Sequence, residues 1–198
     1  INVVPGAADA LTADDIDAAS NVIIESSIFL TQLEAPKDVV HYALKIAKEN
    51  NVTTILNPAP ASKIDENILP LIDYFTPNEI EASFYVNHKV ENEEDAKKAS
   101  EKLLQTGIKN VIITLGDKGA YFANNEESFH VNALNLEGKV VDTTGAGDAF
   151  NGGLAVALRE DKNIKDSITF ANITAGLSTT KIGTAKSMPL RYEIDKLL

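Results

Sequence analysis

The sequence predicts a single domain, residues 1–198, of the α/β class, with an open, mostly parallel sheet and helices on both faces. Short apolar, β-branched segments alternate with amphipathic segments of about 10–15 residues, as expected when a crossover helix follows each strand. The length is sufficient to bury one sizeable core. A glycine-rich segment, VVDTTGAGDAFNGG at 140–153, lies between a predicted strand and a predicted helix, where proteins of this class bind ligands.

The predicted strands are short runs of β-branched and apolar residues bounded by turn-forming residues. VTTIL, for example, is followed directly by NPAPA, whose prolines cannot continue a hydrogen-bond ladder. A pair of strands is expected around the glycine-bounded turn in NVIITLGDKGAYFANN. In chain order, the segments predicted to contain strands are 21–32, 52–56, 73–76, both halves of 110–125, 127–134 and 139–142.

The predicted helices carry apolar residues at helical spacing. PKDVVHYALKIAKEN is typical, because five apolar side chains share one face and Pro36 lies where the start of a helix tolerates proline. Gly107 is expected to end the helix that begins near residue 94. In chain order, helices are predicted at 36–50, 64–72, from 77 onward, 94–107, 149–160, 164–182 and 192–198.

The composition excludes several classes of function. Without cysteine the chain has no disulfide and no thiolate metal site, which favours a cytoplasmic enzyme. A net charge of −11 argues against nucleic acid as a partner. An anionic ligand would therefore be held by local backbone dipoles and a few lysines. No apolar run approaches the roughly 18 residues of a membrane span.

Four glycines in the nine residues 145–153 indicate that something approaches this backbone closely, because glycine within a helix costs about 1 kcal/mol relative to alanine. The N–H groups of Gly145, Ala146 and Gly147 would point outward at a helix N-terminus, which is a site for a phosphate. Asp148 follows in the first turn, where it could accept a proton from a hydroxyl group. A structural loop in which Asp148 only caps the helix is the alternative.

Known phosphate-binding patterns do not fit this segment. The P-loop pattern G-x-x-x-x-G-K-[ST] is absent from the sequence, and the dinucleotide pattern G-x-G-x-x-G begins at Gly145 but has Phe150 in its last position. What remains is an acidic residue beside an anion-binding turn. A proton acceptor and an anion-binding site are the minimum that phosphoryl transfer requires.

DTTGAGDAFNGG resembles the second signature of the ribokinase/PfkB family of sugar kinases, most closely its ribose-phosphorylating members. The similarity continues in register through TQLEAP, NPAPA, TPNEIEA, ITLGDKG and FANITAGLSTTKIG. The resemblance implies a ribokinase-like fold and ATP-dependent phosphorylation of D-ribose at its 5-hydroxyl, with Mg²⁺ and an activating K⁺. It also implies that Asp148 is the catalytic base and that the amides of Gly145, Ala146 and Gly147 form the anion hole.

TPNEIEA at 76–82 has both a structural and a functional interpretation. Thr76 and Glu79, with proline between them, predict a capping box at a helix start. Asn78 and Glu81 lie three residues apart on one helical face, and by resemblance they form the N-x-x-E motif that organises Mg²⁺, usually through water, and the nearby phosphates.

The resemblance implies the remaining site residues, each with a plainer alternative. Without the resemblance, TLGDKG is a hairpin turn and Asn172 is a solvent-facing or weakly bonding residue of a helix. The segment 178–187 is then a loop after a helix, and Glu34 is a solvated acid at a strand end. By resemblance, Glu34 contacts the sugar together with Asp148. The nucleotide contacts are Asn78, Thr114, Leu115, Gly116, Asp117, Lys118, Gly119, Gly147 and Asn172. The K⁺ loop comprises Asp142, Thr144, Ser178, Lys181, Gly183 and Ser187.

The similarity begins inside the family's fold. The N-terminal strands, a glycine-pair sugar motif and the β-lid used for dimerisation are therefore expected to be missing, so the 198 residues alone should be inactive, whereas the complete protein should be a homodimer. Two alternatives stay open: another kinase of the family, acting on fructose or a nucleoside, and a non-catalytic nucleotide-binding module. Asp148 and the N-x-x-E motif weigh against the module, because binding alone needs neither.

Overall fold

A computed structural model describes residues 6–198. Its sheet has six strands in sequence order; the first four pair in parallel, the fifth is antiparallel to the fourth, and the sixth is antiparallel to the fifth. The strands are β1 (Ile28–Thr31), β2 (Thr53–Leu56), β3 (Tyr74–Phe75), β4 (Asn110–Thr114), β5 (Ala120–Ala123) and β6 (Ser128–Val131). The predicted open, mostly parallel sheet is confirmed.

The α-helices are α1 (Ala13–Glu25), α2 (Lys37–Glu49), α3 (Glu79–Val86), α4 (Glu93–Leu104), α5 (Ala146–Arg159), α6 (Ile164–Ser178) and α7 (Arg191–Asp195). Short 3₁₀ helices occur at Gly6–Ala10, Glu66–Leu71, Gly116–Lys118 and Ala185–Ser187. Among the described residues, none of these helices is long and apolar enough to cross a membrane.

The strands separate two cores because their side chains alternate between the faces of the sheet. On one face, Leu56 and Phe75 pack with α2, α3 and α4. On the other, Ile55 and Ile112 pack with α5 and α6. The helix α1 packs on α2 around Ile23, in a smaller cluster that also includes Phe29 of β1. Helices therefore cover both faces, as predicted.

The predicted elements need one addition and one correction. The segment 21–32 contains a strand, as predicted, at 28–31, but residues 21–25 are the end of α1, a helix that the sequence analysis missed and that begins at the Thr12–Asp15 capping box. The segment 139–142 is not a strand, because the N–H groups of Val141 and Asp142 donate to the Thr179 carbonyl at 2.8 and 3.1 Å instead of pairing with the sheet.

The register aligns the carboxyl ends of the first three strands. Thr31 pairs with Leu56, and Leu56 pairs with Phe75, so these strands end side by side. The residues that directly follow these strands are consequently neighbours. Asn57 lies in the middle, between Gln32 and Thr76. This edge of the sheet is the one at which parallel α/β proteins bind ligands.

Candidate active site

A continuous chain of hydrogen bonds links the three strand ends to helix α5. Gln32 Nε2 donates to Asp148 Oδ1 at 2.8 Å and to Asn57 Oδ1 at 3.1 Å. Asn57 Nδ2 donates to the Thr76 carbonyl at 2.9 Å, and Thr76 Oγ1 donates to Asn151 Oδ1 at 2.7 Å. We call Gln32, Asn57, Thr76 and Asn151 the strand-end network. It joins elements far apart in sequence at Asp148.

The start of α5 presents unpaired N–H groups. Gly145 is the N-cap in a left-handed conformation, with φ of 77°, and no side chain caps the helix. Among residues 6–198, nothing accepts a hydrogen bond from the N–H groups of Gly145, Gly147 or Asp148, whereas the Ala146 N–H donates to the Thr143 carbonyl at 3.2 Å. The predicted anion hole therefore has Gly145 and Gly147 available, together with Asp148, but not Ala146.

The four glycines of 145–153 fall into two classes. A Cβ on Gly153 would lie 2.8 Å from Thr174 Oγ1 of α6, so helix packing requires glycine there, and the left-handed φ requires it at Gly145. A Cβ on Gly147 or Gly152 would meet nothing within 4 Å. Packing within the described chain therefore does not explain why residue 147 is glycine. Gly147 lies beside the unpaired N–H groups and Asp148.

Asn78 and Glu81, rather than Thr76 and Glu79, form the capping box of α3. Asn78 Oδ1 accepts from the Glu81 N–H at 2.9 Å, and Glu81 Oε2 accepts from the Asn78 N–H at 2.8 Å. The predicted Thr76–Glu79 box is wrong because the Thr76 hydroxyl is buried and bound to Asn151. Burial raises the pKa of the Glu81 carboxyl above its ordinary value, although the Asn78 N–H opposes this.

These two side chains fit Mg²⁺ held through water. Within the part of the chain described here, no three His, Cys, Asp or Glu side chains cluster closely enough to hold a metal directly. Glu81 uses one carboxylate oxygen in the capping box, and the hydrogen bonds of the described residues leave the other unused. Mg²⁺ keeps several of its waters, so a single carboxylate beside an amide is a suitable donor set.

The predicted nucleotide residues lie on the β4–β5 hairpin. The hairpin turn itself is confirmed: the Leu115 N–H donates to the Gly119 carbonyl at 2.8 Å across the 3₁₀ turn Gly116–Lys118. Thr114 forms a bridge with Asn78, which brings the hairpin beside the N-x-x-E motif. Asp117 and Lys118 are exposed with Gly116, whereas Leu115 is buried in the core and could contact a ligand only through its backbone.

Gly119 and Asn172 meet at the end of β6. A Cβ on Gly119 would lie 2.1 Å from the Val131 carbonyl oxygen, so only glycine fits there. Asn172 Nδ2 donates to the carbonyls of Val131 and Asn132, at 3.1 and 3.0 Å. The interpretation of Asn172 as solvent-facing is therefore wrong, because the side chain is buried and holds α6 to this strand end.

The predicted K⁺ loop is partly assembled. Asp142 Oδ1 accepts from the Thr144 N–H at 3.0 Å, and Oδ2 accepts from the Gly183 N–H at 3.1 Å. These bonds, Thr144 first, hold the pKa of the Asp142 carboxyl below its ordinary value. An ionised carboxylate and loop carbonyls suit a monovalent cation. Three other predicted members are engaged elsewhere: Ser178 Oγ donates to the Ala175 carbonyl, Ser187 Oγ to the Thr184 carbonyl and Lys181 Nζ to Glu193 Oε1.

A cavity of about 430 Å³ opens at Asp148, and Glu34 lines it together with Gln32, Asn57 and Asn151. A larger cavity, about 650 Å³, lies at the opposite, amino edge of the strands. There the Asp73 carboxylate pairs with both Lys48 and Lys109, so the three charged side chains at this edge have a structural role. The smaller cavity is lined by Asp148, whose helical turn carries the unpaired N–H groups, and by polar residues of the strand ends, so it is the candidate active site.

The sequence analysis missed the strand-end network. Gln32 and Asn57 occur in the quoted segments TQLEAP and NPAPA, but neither was singled out. The available signal was a polar residue directly after each of three consecutive buried strands, a position that faces the ligand edge of a parallel sheet.

Comparisons with known proteins agree with this geometry. The model of a family described as pfkB family carbohydrate kinase matches residues 1–191. A ribokinase of Staphylococcus aureus (strain COL) is 39% identical over 198 residues, which are 100% of this chain and 64% of that protein. The Thermotoga maritima ribokinase structure has a TM-score of 0.87 at 39% identity, with 98% of this chain and 63% of that one covered.

A second solved structure is an Arabidopsis thaliana ribokinase complexed with ribose and ATP. It has a TM-score of 0.87 and 31% identity, and the match covers 94% of this chain and 59% of that one. The chain thus spans slightly less than two thirds of the length of these three relatives.

Proposed function

Because the chain belongs to the pfkB family of carbohydrate kinases, we propose that the protein containing it transfers the γ-phosphoryl group of ATP to the 5-hydroxyl of D-ribose. The observation that carries this proposal is the first turn of α5. There the Asp148 carboxylate lines a cavity, and the unpaired N–H groups and the unobstructed backbone of Gly147 lie in the same helical turn. In this arrangement the carboxylate would accept the proton of an attacking hydroxyl group, and the N–H groups would bind the phosphoryl group.

Asp148 is the proposed general base. Its Oδ1 is held by Gln32, and it lines the cavity into which Glu34 also faces. A sugar in this cavity would place a hydroxyl within reach of the Asp148 carboxylate and a second hydroxyl near Glu34. The proton leaves the hydroxyl as its oxygen attacks phosphorus, and ADP departs from the opposite side.

The N–H groups of Gly145, Gly147 and Asp148 are proposed to stabilise the charge on the transferred group. They lie at the positive end of the α5 dipole and need no reorganisation during the reaction. Glu81 and Asn78 would hold hydrated Mg²⁺ through its waters, where the ion neutralises phosphate charge. The β4–β5 hairpin and Asn172 are proposed to flank the nucleotide; a bound K⁺ at Asp142 and a dimeric complete protein also remain predictions.

The test is a phosphoryl-transfer assay on the complete gene product with ATP, following ADP release with D-ribose, 2-deoxy-D-ribose, D-fructose and adenosine. We expect D-ribose to give the highest kcat/KM and phosphorylation at its 5-hydroxyl. A higher kcat/KM with another acceptor would replace the substrate but keep the kinase. ATP binding without transfer to any acceptor would favour the nucleotide-binding module instead.

Gly147→Ala separates a phosphate site from a structural turn. Since a Cβ there meets nothing in the described chain, the variant should be as stable as the parent or more stable. A phosphate held against this backbone would collide with the Cβ, so kcat should fall at least tenfold. Gly152→Ala, also unobstructed, is the matched control and should retain activity. Equal activity of both variants would contradict the proposed anion hole.

A further inference from the structure

The hydrogen bonds of the strand-end network have only one consistent direction. The Thr76 carbonyl can only accept, so Asn57 presents Nδ2 to it and turns Oδ1 toward Gln32. Gln32 must therefore direct its NH₂ group to that oxygen. The second proton of the same NH₂ group points to Asp148 Oδ1 at 2.8 Å. The orientation of the Gln32 amide is consequently dictated from inside the protein.

The inner members of the network are rigidly placed. Asn57 is 7% exposed, Thr76 1% and Asn151 4%. Buried polar groups that are fully hydrogen-bonded specify one arrangement, since any other leaves a donor or acceptor unpaired. Asn151 also donates from Nδ2 to the Gly147 carbonyl at 2.9 Å, so the network ends on the same helical turn that carries Asp148.

We propose that Gln32 is a positioning residue for Asp148, an inference that rests on the proposed role of Asp148 as base. Gln32 holds Oδ1 and thereby fixes the plane of the carboxylate. Oδ2 accepts no hydrogen bond from residues 6–198 and is left for the substrate hydroxyl.

Two other charged groups share the surroundings of Asp148. Glu34 lines the same cavity from the segment that follows β1, and a carboxylate offers Asp148 no hydrogen-bond donor. Arg191 lines the shallower cavity on the other side of Asp148, but its guanidinium is bonded to Glu160 and Asp195. Gln32 is therefore the side chain that directly supports the carboxylate among the described residues.

The experiment compares Gln32→Ala and Gln32→Glu with the parent in the complete protein. We expect Gln32→Ala to lower kcat about tenfold or more, with the KM for the sugar changed less than about threefold. Gln32→Glu replaces the donor by a second carboxylate, which cannot donate to Asp148 Oδ1, so kcat should fall at least as far. Gln105→Glu, the same change at the only other glutamine, on the exposed end of α4, should have no effect.

A double-variant cycle tests whether Gln32 acts through Asp148. In an Asp148→Asn background, Gln32→Ala should cause little further loss of kcat. A full additional tenfold loss would overturn the proposal, as would an increase in KM with kcat unchanged, which would make Gln32 a sugar contact. If instead the parent phosphorylates no acceptor, or Asp148→Asn remains fully active, the proposed function fails. Such a failure differs from the case in which the kinase is active but the losses of kcat from Gln32→Ala and Asp148→Asn add, which would contradict only the role of Gln32.

Discussion

At the scale of single residues, the site depends on whether Asp148 acts as a base or only as an acid that stabilises the start of α5. Its carboxylate lies in the first helical turn, where an acid stabilises the helix, so its position alone does not decide between the two roles. The structure adds the Gln32 hydrogen bond and the cavity, neither of which a capping acid requires.

Asp148→Asn distinguishes the two roles. Asparagine keeps the size and can still accept from Gln32, but it cannot take a proton from a hydroxyl group. Since general-base catalysis contributes roughly 10²–10⁴-fold, we expect kcat to fall at least about 100-fold in the complete protein. The Tm and the affinity for ATP should change little, because Asp148 makes no capping hydrogen bond and the variant loses only its interaction with the α5 dipole, about 0.3–1 kcal/mol. A kcat within a few-fold of the parent would leave Asp148 as a structural acid of the first helical turn.

The sequence predicted Asp148, the glycines and the N-x-x-E pair, but not Gln32 and Asn57. The former belong to compact patterns in which neighbours in sequence are neighbours in space. Gln32 and Asn57 are 25 residues apart, and Asn151 is far from both. Their contact depends on the register of β1, β2 and β3, which local patterns do not fix.

At the scale of elements, the pairing of α5 with α6 is set by glycine. A Cβ on Gly153 would lie 2.8 Å from Thr174 Oγ1 and 3.1 Å from Ala171 Cα, so the two helices approach more closely than alanine permits. The pattern of close glycines was visible in the sequence. The sequence does not show which of the four glycines pack against another helix and which face open space, because that depends on the position of α6.

Gly153→Ala and the neighbouring Gly152→Ala should therefore have opposite effects on stability. The first overpacks the α5–α6 contact and should lower the free energy of unfolding by about 1–3 kcal/mol. The second adds a methyl group to an exposed helical position and should raise it by about 0.5–1 kcal/mol. Denaturant unfolding of both variants measures the difference. Equal destabilisation would show that the helix spacing does not depend on Gly153.

The two loops behind the α5 N-terminus predict an effect of K⁺. Asp142 joins the Thr144 turn to Gly183, and Thr184 Cγ2 would lie 3.2 Å from a Cβ on Gly145. A cation bound at these loops would order the anion-binding turn before the phosphate arrives. We expect kcat of the complete protein to be higher in K⁺ than in Na⁺ or Li⁺, and Asp142→Asn to reduce this difference. Equal rates in K⁺ and Li⁺ would contradict the cation site.

At the scale of the whole molecule, Asp73 ties the amino edge of the sheet together. Its carboxylate bonds Lys48 of α2 and Lys109 before β4, and it accepts from the Thr54 N–H at 3.1 Å. Burial opposes ionisation, but the hydrogen bonds from Lys109 and Lys48 outweigh it, so the pKa of Asp73 lies below its ordinary value.

This lowered pKa predicts a loss of stability in acid. A carboxyl with a pKa depressed by folding stabilises the native state above its unfolded pKa, and this contribution disappears as the pH falls through the folded value. Asp73→Asn should therefore cost about 1–3 kcal/mol near neutral pH and progressively less below about pH 4. The exposed Glu94→Gln, which removes the surface pair with Lys98, should cost less than about 1 kcal/mol. Urea unfolding at several pH values measures both; a constant cost for Asp73→Asn would contradict the linkage.

The open edge of the sheet makes association the last prediction. Among residues 6–198, β1 pairs only with β2, so its outer edge presents unpaired backbone groups, and Leu30 on this strand is 38% exposed. An unprotected edge with apolar side chains favours pairing with another chain. The 198 residues expressed alone should therefore sediment as oligomers or aggregate, and Leu30→Lys should reduce this association. Ile80→Lys, at a 78% exposed position on α3 away from β1, is the matched control. A monomeric parent chain, or an equal effect of both lysines, would show that the β1 edge does not drive association.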